Sequence, residues 1–89
     1  MATVLNQKTQ PALRGQSAVV TLNQSDTLTI LPNISIGQQV YINSSSIYGY
    51  VSSIDTYGDS FKIEPISPIS NVASSTPGYL VSGETITLL

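Results

Sequence analysis

The side chains of this chain that could do chemistry are few, and most are carboxylates and phenols. Asp55 and Asp59 bracket a segment containing Gly58, and Glu64 follows shortly after. Carboxylates held close together raise one another's pKa, and a group of them can hold a hard cation such as calcium through oxygen ligands. A simpler reading competes with that one. Asp is favoured in turns because its carboxylate accepts hydrogen bonds from nearby backbone N–H groups. We prefer the turn reading and expect no metal. Nucleophilic catalysis needs a positioned base. The chain has no His and no Cys, so only Ser–Lys or carboxylate schemes remain. Lys8 lies near the N-terminus, Lys62 is expected on an outward face, and no Ser-x-x-Lys spacing occurs. The chain is therefore expected not to be an enzyme and to carry no cofactor.

The phenols form the more suggestive set. Tyr41, Tyr48, Tyr50 and Tyr57 fall in one stretch, and Tyr79 lies further on. Side chains alternate between the two faces of a strand. Tyr48 and Tyr50 then share a face opposite Gly49 and Val51, and Tyr41 opposes Val40 and Ile42. An aromatic patch on the side away from the core is expected. Tyr suits interfaces because it is large, stiff and polar at one end. With Asn and Gln alongside, the same patch could also stack on a sugar. To these tyrosines we add Val4, Leu5 and Arg14 from the N-terminal segment, and Leu88 and Leu89 from the last strand, as candidate interface residues.

Composition limits the partners. Only 9% of the 89 residues are Asp, Glu, Lys or Arg, against roughly 25% in a typical soluble domain. Ser, Thr, Asn and Gln must therefore cover the surface. The three basic residues are Lys8, Arg14 and Lys62, and the net charge is −2. No basic stripe can be built from them, so no nucleic acid is expected as a partner. No apolar run approaches the roughly 20 residues that span a bilayer as a helix, and no membrane partner is expected. Residues 1–8 show neither the charged start nor the long apolar stretch of a secretory signal. The Asn-x-Ser triplets at Asn23, Asn33 and Asn43 are accordingly read as unmodified.

Helix formers are scarce, and Ser, Thr, Val, Ile and Tyr are common, which points to strands. Short apolar runs separated by turn residues predict one small all-β domain, an antiparallel barrel or a sandwich. Residues 1–16 read as an extended N-terminal arm outside the compact core, with a disordered tail as the alternative, and residues 17–89 as the domain. A first hairpin is expected from Ser17–Leu22 and Asp26–Leu31 around an Asn23–Asp26 turn, with Leu28 and Ile30 inward. Gln39–Asn43, Ile47–Ile54 and Ser60–Glu64 follow as a meander. Within it, Val51 and Ile54 can both face the core only if an extra residue at Ser52–Ser53 forms a β-bulge. Gly58 is expected to supply a positive φ in the intervening turn. Ile66–Gly78 reads as an extended spacer. Tyr79–Val81 and Glu84–Leu89 are expected to form a last pair, with Ile86 and Leu88 inward and the terminal strand paired and covered.

Gly37-Gln-Gln-Val-Tyr-Ile42, then Tyr48-Gly-Tyr-Val-Ser-Ser-Ile-Asp55, then Tyr57-Gly-Asp-Ser-Phe-Lys-Ile-Glu-Pro65, resembles the core meander of small barrels of the Src-homology-three type. The chain as a whole is strand-based, with a low-charge surface and an N-terminal arm. In that it resembles small virion proteins of tailed bacteriophages, both capsid decoration (cement) proteins and tail or baseplate components. This resemblance implies a structural protein, made in the host cytoplasm and located in the virion. It would form homo-oligomers and contact other virion proteins, the major capsid or a tail protein, through its arm, strand edges and tyrosine face. A non-catalytic peptide- or glycan-binding module is the alternative.

Overall fold

The structure is a computed structural model and describes residues 2–12, 16–55, 58–66 and 79–89. At its centre lies the expected meander, β4 (Gln39–Ile42), β5 (Ile47–Asp55) and β6 (Ser60–Pro65). β3 (Ala18–Thr21) adds to the β6 side; β8 (Thr85–Leu88) adds to β4, and β1 (Ala2–Leu5) adds to β8. The result is a six-stranded antiparallel sheet in the order β1-β8-β4-β5-β6-β3, curled into a half-barrel. A second, two-stranded sheet joins β2 (Gln10–Pro11) to β7 (Tyr79–Leu80). The fold is the small all-β kind that the alternating pattern predicts.

Alternation places the core. Val40, Ile42, Val51, Ile63 and Ile86 are completely buried on the concave side, together with Val20 and Phe61. Each such side chain contributes about 1.5–3 kcal/mol on burial. The bulge falls where the sequence requires it. Val51 pairs with Ile63 and Ser53 with Lys62, which leaves Ser52 as the extra residue. Ile54 then returns to the inner side, half-buried against the core.

The first hairpin is a correction. After Asn23 the chain forms a short helix, α1 (Gln24–Thr29), and a 3-10 turn, Leu31–Asn33. The Thr-Leu-Thr-Ile alternation competes here with a capping signal, and capping wins. Asn23 accepts the Asp26 N–H at 2.7 Å through its side chain, satisfying a donor that a helix start otherwise leaves unpaired. The Thr27 and Thr29 hydroxyls bond back to the carbonyls of Asn23 and Ser25, both at 2.8 Å. Leu28, expected inward, is 70% exposed; Ile30 does pack against the core.

The N-terminal segment is extended, as expected, but it is built into the domain and does not stand off it. Residues 2–5 pair along β8, and Val4 and Ala12 are buried in the core. The residue that locks this segment is Asn6, which is wholly buried. Its side-chain amide donates to the carbonyls of Lys8, Leu80 and Val81, and its side-chain oxygen accepts from Thr21 N–H at 3.1 Å. Its own N–H and C=O pair with Glu84 and Gly83, both at 2.8 Å. One side chain thus ties β1, at one end of the sheet, to β3 at the other and to the turn before β8.

Two further expectations are corrected. The segments around Tyr79 and Thr85 are joined by a turn in which Gly83 has φ +92°, but they do not form a ladder with each other. β7 pairs with β2, and β8 lies between β1 and β4, paired on both sides. The positive φ expected at Gly58 is absent; Gly37 and Gly83 are the described glycines that have one. A Cβ at Gly58 would meet the end of the Asp55 side chain, which can turn away, so neither φ nor space demands glycine there. Residues 67–78 of the expected spacer lie outside the described residues.

Candidate interaction face

The convex side of the sheet carries what the concave side rejects. On β4, Gln39 and Tyr41 alternate with Val40 and Ile42; on β5, Tyr48 and Tyr50 alternate with Gly49 and Val51. Register then sets the neighbours. Thr3 faces Thr87, Thr87 faces Tyr41, and Tyr41 faces Tyr48, making one row across four strands. Gln39, Tyr50 and Glu64 make a second row. The Tyr41 and Tyr48 rings lie 4.9 Å apart at 58°, within the range of favourable tilted aromatic pairs. Tyr48 and Tyr50 remain 46% and 41% exposed. Asn43 organises the β8 side. Its side-chain amide donates to the Thr85 and Thr87 hydroxyls, both at 3.1 Å.

The electrostatics of the face are simple. Glu64 supplies its carboxylate in the second row, and the Tyr50 hydroxyl donates to it. That hydrogen bond, then the negative charge of Glu64, then a small desolvation hold the Tyr50 phenol above its ordinary pKa. Tyr50 is therefore a neutral donor throughout the physiological pH range.

Gly49 makes this arrangement possible. It lies on the inner side between Tyr48 and Tyr50, where a Cβ would come within 2.8 Å of the Glu64 carbonyl oxygen. β5 and β6 can approach closely only because that atom is missing, and the approach sets Tyr50 beside Glu64.

The structure sorts the expected interface residues. It brings together Tyr41, Tyr48 and Tyr50. Leu5 and Leu89 are exposed, Leu5 across from Thr85 and Leu89 donating its N–H to the Gln39 carbonyl at 2.9 Å. Val4 and Leu88 are corrections. Both point inward and are core residues, because alternation along β1 and β8 sends them to the concave side. Tyr79 belongs to the separate β2–β7 pair, across from Pro11. Arg14 and Tyr57 lie outside the described residues. Glu64, Thr3, Gln39, Asn43, Thr85 and Thr87 complete the face without having been singled out as interface residues. The strand alternation carried that signal for all but Thr3, which was assigned to the arm.

Elsewhere, Glu64 lies well up β6 from the hairpin end where Asp55 pairs with Ser60, so the carboxylates do not gather. Among the described residues no three His, Cys, Asp or Glu side chains converge as a metal site would require. Glu84 is buried, and its carboxylate accepts from the Ser44 hydroxyl, from Ser44 N–H at 3.3 Å and from Thr85 N–H at 3.1 Å. It pins the β4–β5 loop to the start of β8. Among the described residues, no helix is long and apolar enough to cross a membrane. Comparison with protein-family models, with curated proteins and with solved structures finds no match to this chain.

Proposed function

We propose that this chain is a non-catalytic structural module that docks on another protein of an assembly through the tyrosine face of its sheet. The observation that carries the reading is the exposure of Tyr48 and Tyr50 on a stiff, nearly uncharged β surface. Exposed apolar residues, Leu5, Ile66 and Leu89, lie on the same strands or just beyond their ends. Apolar patches rimmed by polar groups mark contact surfaces, and interface centres favour Tyr and disfavour charge. The virion setting rests on the likeness in sequence style, and within it decoration of a capsid lattice is the reading we favour over a tail or baseplate position. The module would act there as a clamp that resists shear.

Of the contacts the sequence suggests, through arm, strand edges and tyrosine face, the reading rests on the face. Leu5, on the outer side of β1, gives its N–H to the Asp26 carboxylate at 3.3 Å, and its carbonyl accepts from the Gln7 side chain at 3.3 Å. Thr21, at the end of β3, gives its N–H to Asn6 and its carbonyl to Gln7 N–H. These two edge positions are engaged within the chain, and residues 2–12 are held in the domain, which supports the face as the contact surface.

Co-expression with the products of neighbouring genes, followed by affinity purification, tests the reading. The wild-type chain should co-purify in fixed ratio with one of them. A Tyr48→Ser, Tyr50→Ser double variant with unchanged circular dichroism should lose that partner. Retention of the partner by the double variant would overturn the proposal.

A further inference from the structure

We infer that two copies of this chain pair through the end of the sheet where β1 begins and β8 ends, each seating its Ile36 in a cavity of the other. This surface is distinct from the tyrosine rows, and the inference does not depend on the docking reading above. An open cavity of about 430 Å³ lies at this end, lined by Ala2, Ile30, Leu88 and Leu89 and by the uncharged Thr29, Asn33 and Gln38. Its wall is mostly apolar, and exposed apolar surface of this kind marks a contact site. Leu28 and Ile36, at 70% and 69%, are the most exposed large apolar side chains among the described residues. Singly, such residues are ordinary on a protein surface. These two belong to the segments that line one cavity. Leu28 precedes Thr29 and Ile30 in the chain, and Ile36 stands two residues before Gln38.

Ile36 is also held in place. The Gln38 N–H donates to the Ser35 carbonyl at 3.1 Å, and Gly37 has φ +90°, as a type II turn requires of its third residue. The Gln38 side-chain oxygen accepts the Ser35 N–H at 3.1 Å. Gly37 N–H donates to the Val51 carbonyl at 2.7 Å, and Val51 N–H donates to the Gln38 carbonyl at 2.9 Å, which fastens the turn to β5. A braced turn thus carries Ile36 into solvent, and the Gln38 that braces it also lines the cavity. A second copy is the occupant that this arrangement selects. A knob and a hole side by side on one chain are self-complementary, because a two-fold axis between them brings each knob to the other copy's hole. Neither the cavity lining nor residues 35–38 carry a charge, so pairing sets no like charges together there and strips water from none. The turn is already fixed by its own bonds, so little ordering is left for association to impose.

Sedimentation equilibrium of the whole chain, from about 1 μM to about 1 mM, tests the contact. The mass should rise to that of two chains and stop there. Ile36→Ser, on an exposed turn, should weaken pairing at least about tenfold, since each dimer loses two buried side chains. Ala2→Leu, which fills the cavity and keeps the knob, should weaken it similarly. An equimolar mixture of these two variants should recover pairing in part, because one Ile36 then meets one open cavity. The Tyr48→Ser, Tyr50→Ser variant should pair as the wild type does. A monomer throughout the range, growth past two chains, unchanged pairing in Ile36→Ser, a mixture that recovers nothing, or loss of pairing in the tyrosine variant would overturn the inference. If circular dichroism shows that Ala2→Leu does not fold, Ile36→Asp replaces both it and the mixture. A charge carried into the cavity should abolish pairing, and pairing that persists would count against the contact. The co-purification test of the tyrosine face uses other residues and another readout, so the two readings stand or fall separately.

Discussion

Asn6 and the tyrosine face show two opposite uses of uncharged polar side chains in one small sheet. Asn6 is wholly buried, and its side chain and backbone bond to other groups of the chain. At Tyr48 and Tyr50 the polar tips point outward, and large exposed rings are left available. The difference teaches where stability and contact reside. A chain with so few charges and no disulfide ties its sheet together with a buried amide, and that leaves the convex face a small share in holding the fold together. Mutations in the two places should therefore separate cleanly.

The largest effect is expected at Asn6. Asn6→Ala takes one partner from the half-buried Thr21 N–H and from the carbonyls of Lys8, Leu80 and Val81, and should cost about 3 kcal/mol in urea unfolding. Asn6→Asp sharpens the point. A carboxylate facing those carbonyls would have its folded-state pKa raised, so the neutral form is the one compatible with the fold. The variant should be most stable below the unfolded-state pKa of Asp and lose stability as pH rises through the folded-state value. A flat pH profile would show that the site opens to water. Gly49→Ala comes next, at about 1–3 kcal/mol, because the new methyl meets the Glu64 backbone and not a flexible side chain. It should also disturb the Tyr50–Glu64 pair, visible as a fall in the Tyr50 phenol pKa toward its ordinary value by ultraviolet titration.

Much of this is legible in the sequence. Val40, Ile42, Val51, Phe61 and Ile63 follow the strand period, and the failure of that period between Val51 and Ile54 located the bulge. Tyr41, Tyr48 and Tyr50 fell on one face by the same reasoning. The misses have a common cause. Asn23 and Asn6 act through hydrogen bonds, one local and one spanning the chain from Asn6 to Leu80 and Val81, and apolar periodicity is blind to both. The Thr27–Ile30 alternation looked like a strand because a six-residue helix is too short to show its own period. Val4 reads as a contact residue because pairing of the two chain ends with each other is a long-range event that no local pattern announces, whereas the alternation of the last strand already points Leu88 inward, against its choice as a contact residue.

Smaller effects complete the comparison. Asn23→Ala should cost about 1 kcal/mol by removing the helix cap, measured as a shifted urea midpoint with unchanged slope. A larger loss would mean that α1 holds the β1 edge through Asp26 more firmly than its single 3.3 Å bond to Leu5 suggests. Tyr48→Ser should have the least effect on stability of these substitutions. It removes a tilted ring pair contributing about 0.5–1.5 kcal/mol, on a residue already half in solvent.

The most direct measurement pairs binding and unfolding in the same double variant, Tyr48→Ser, Tyr50→Ser. The co-purified partner's affinity should fall roughly a hundredfold, while the free energy of unfolding stays within about 2 kcal/mol of wild type. Unchanged affinity, or affinity lost only in step with stability, would contradict a contact face that is independent of the fold.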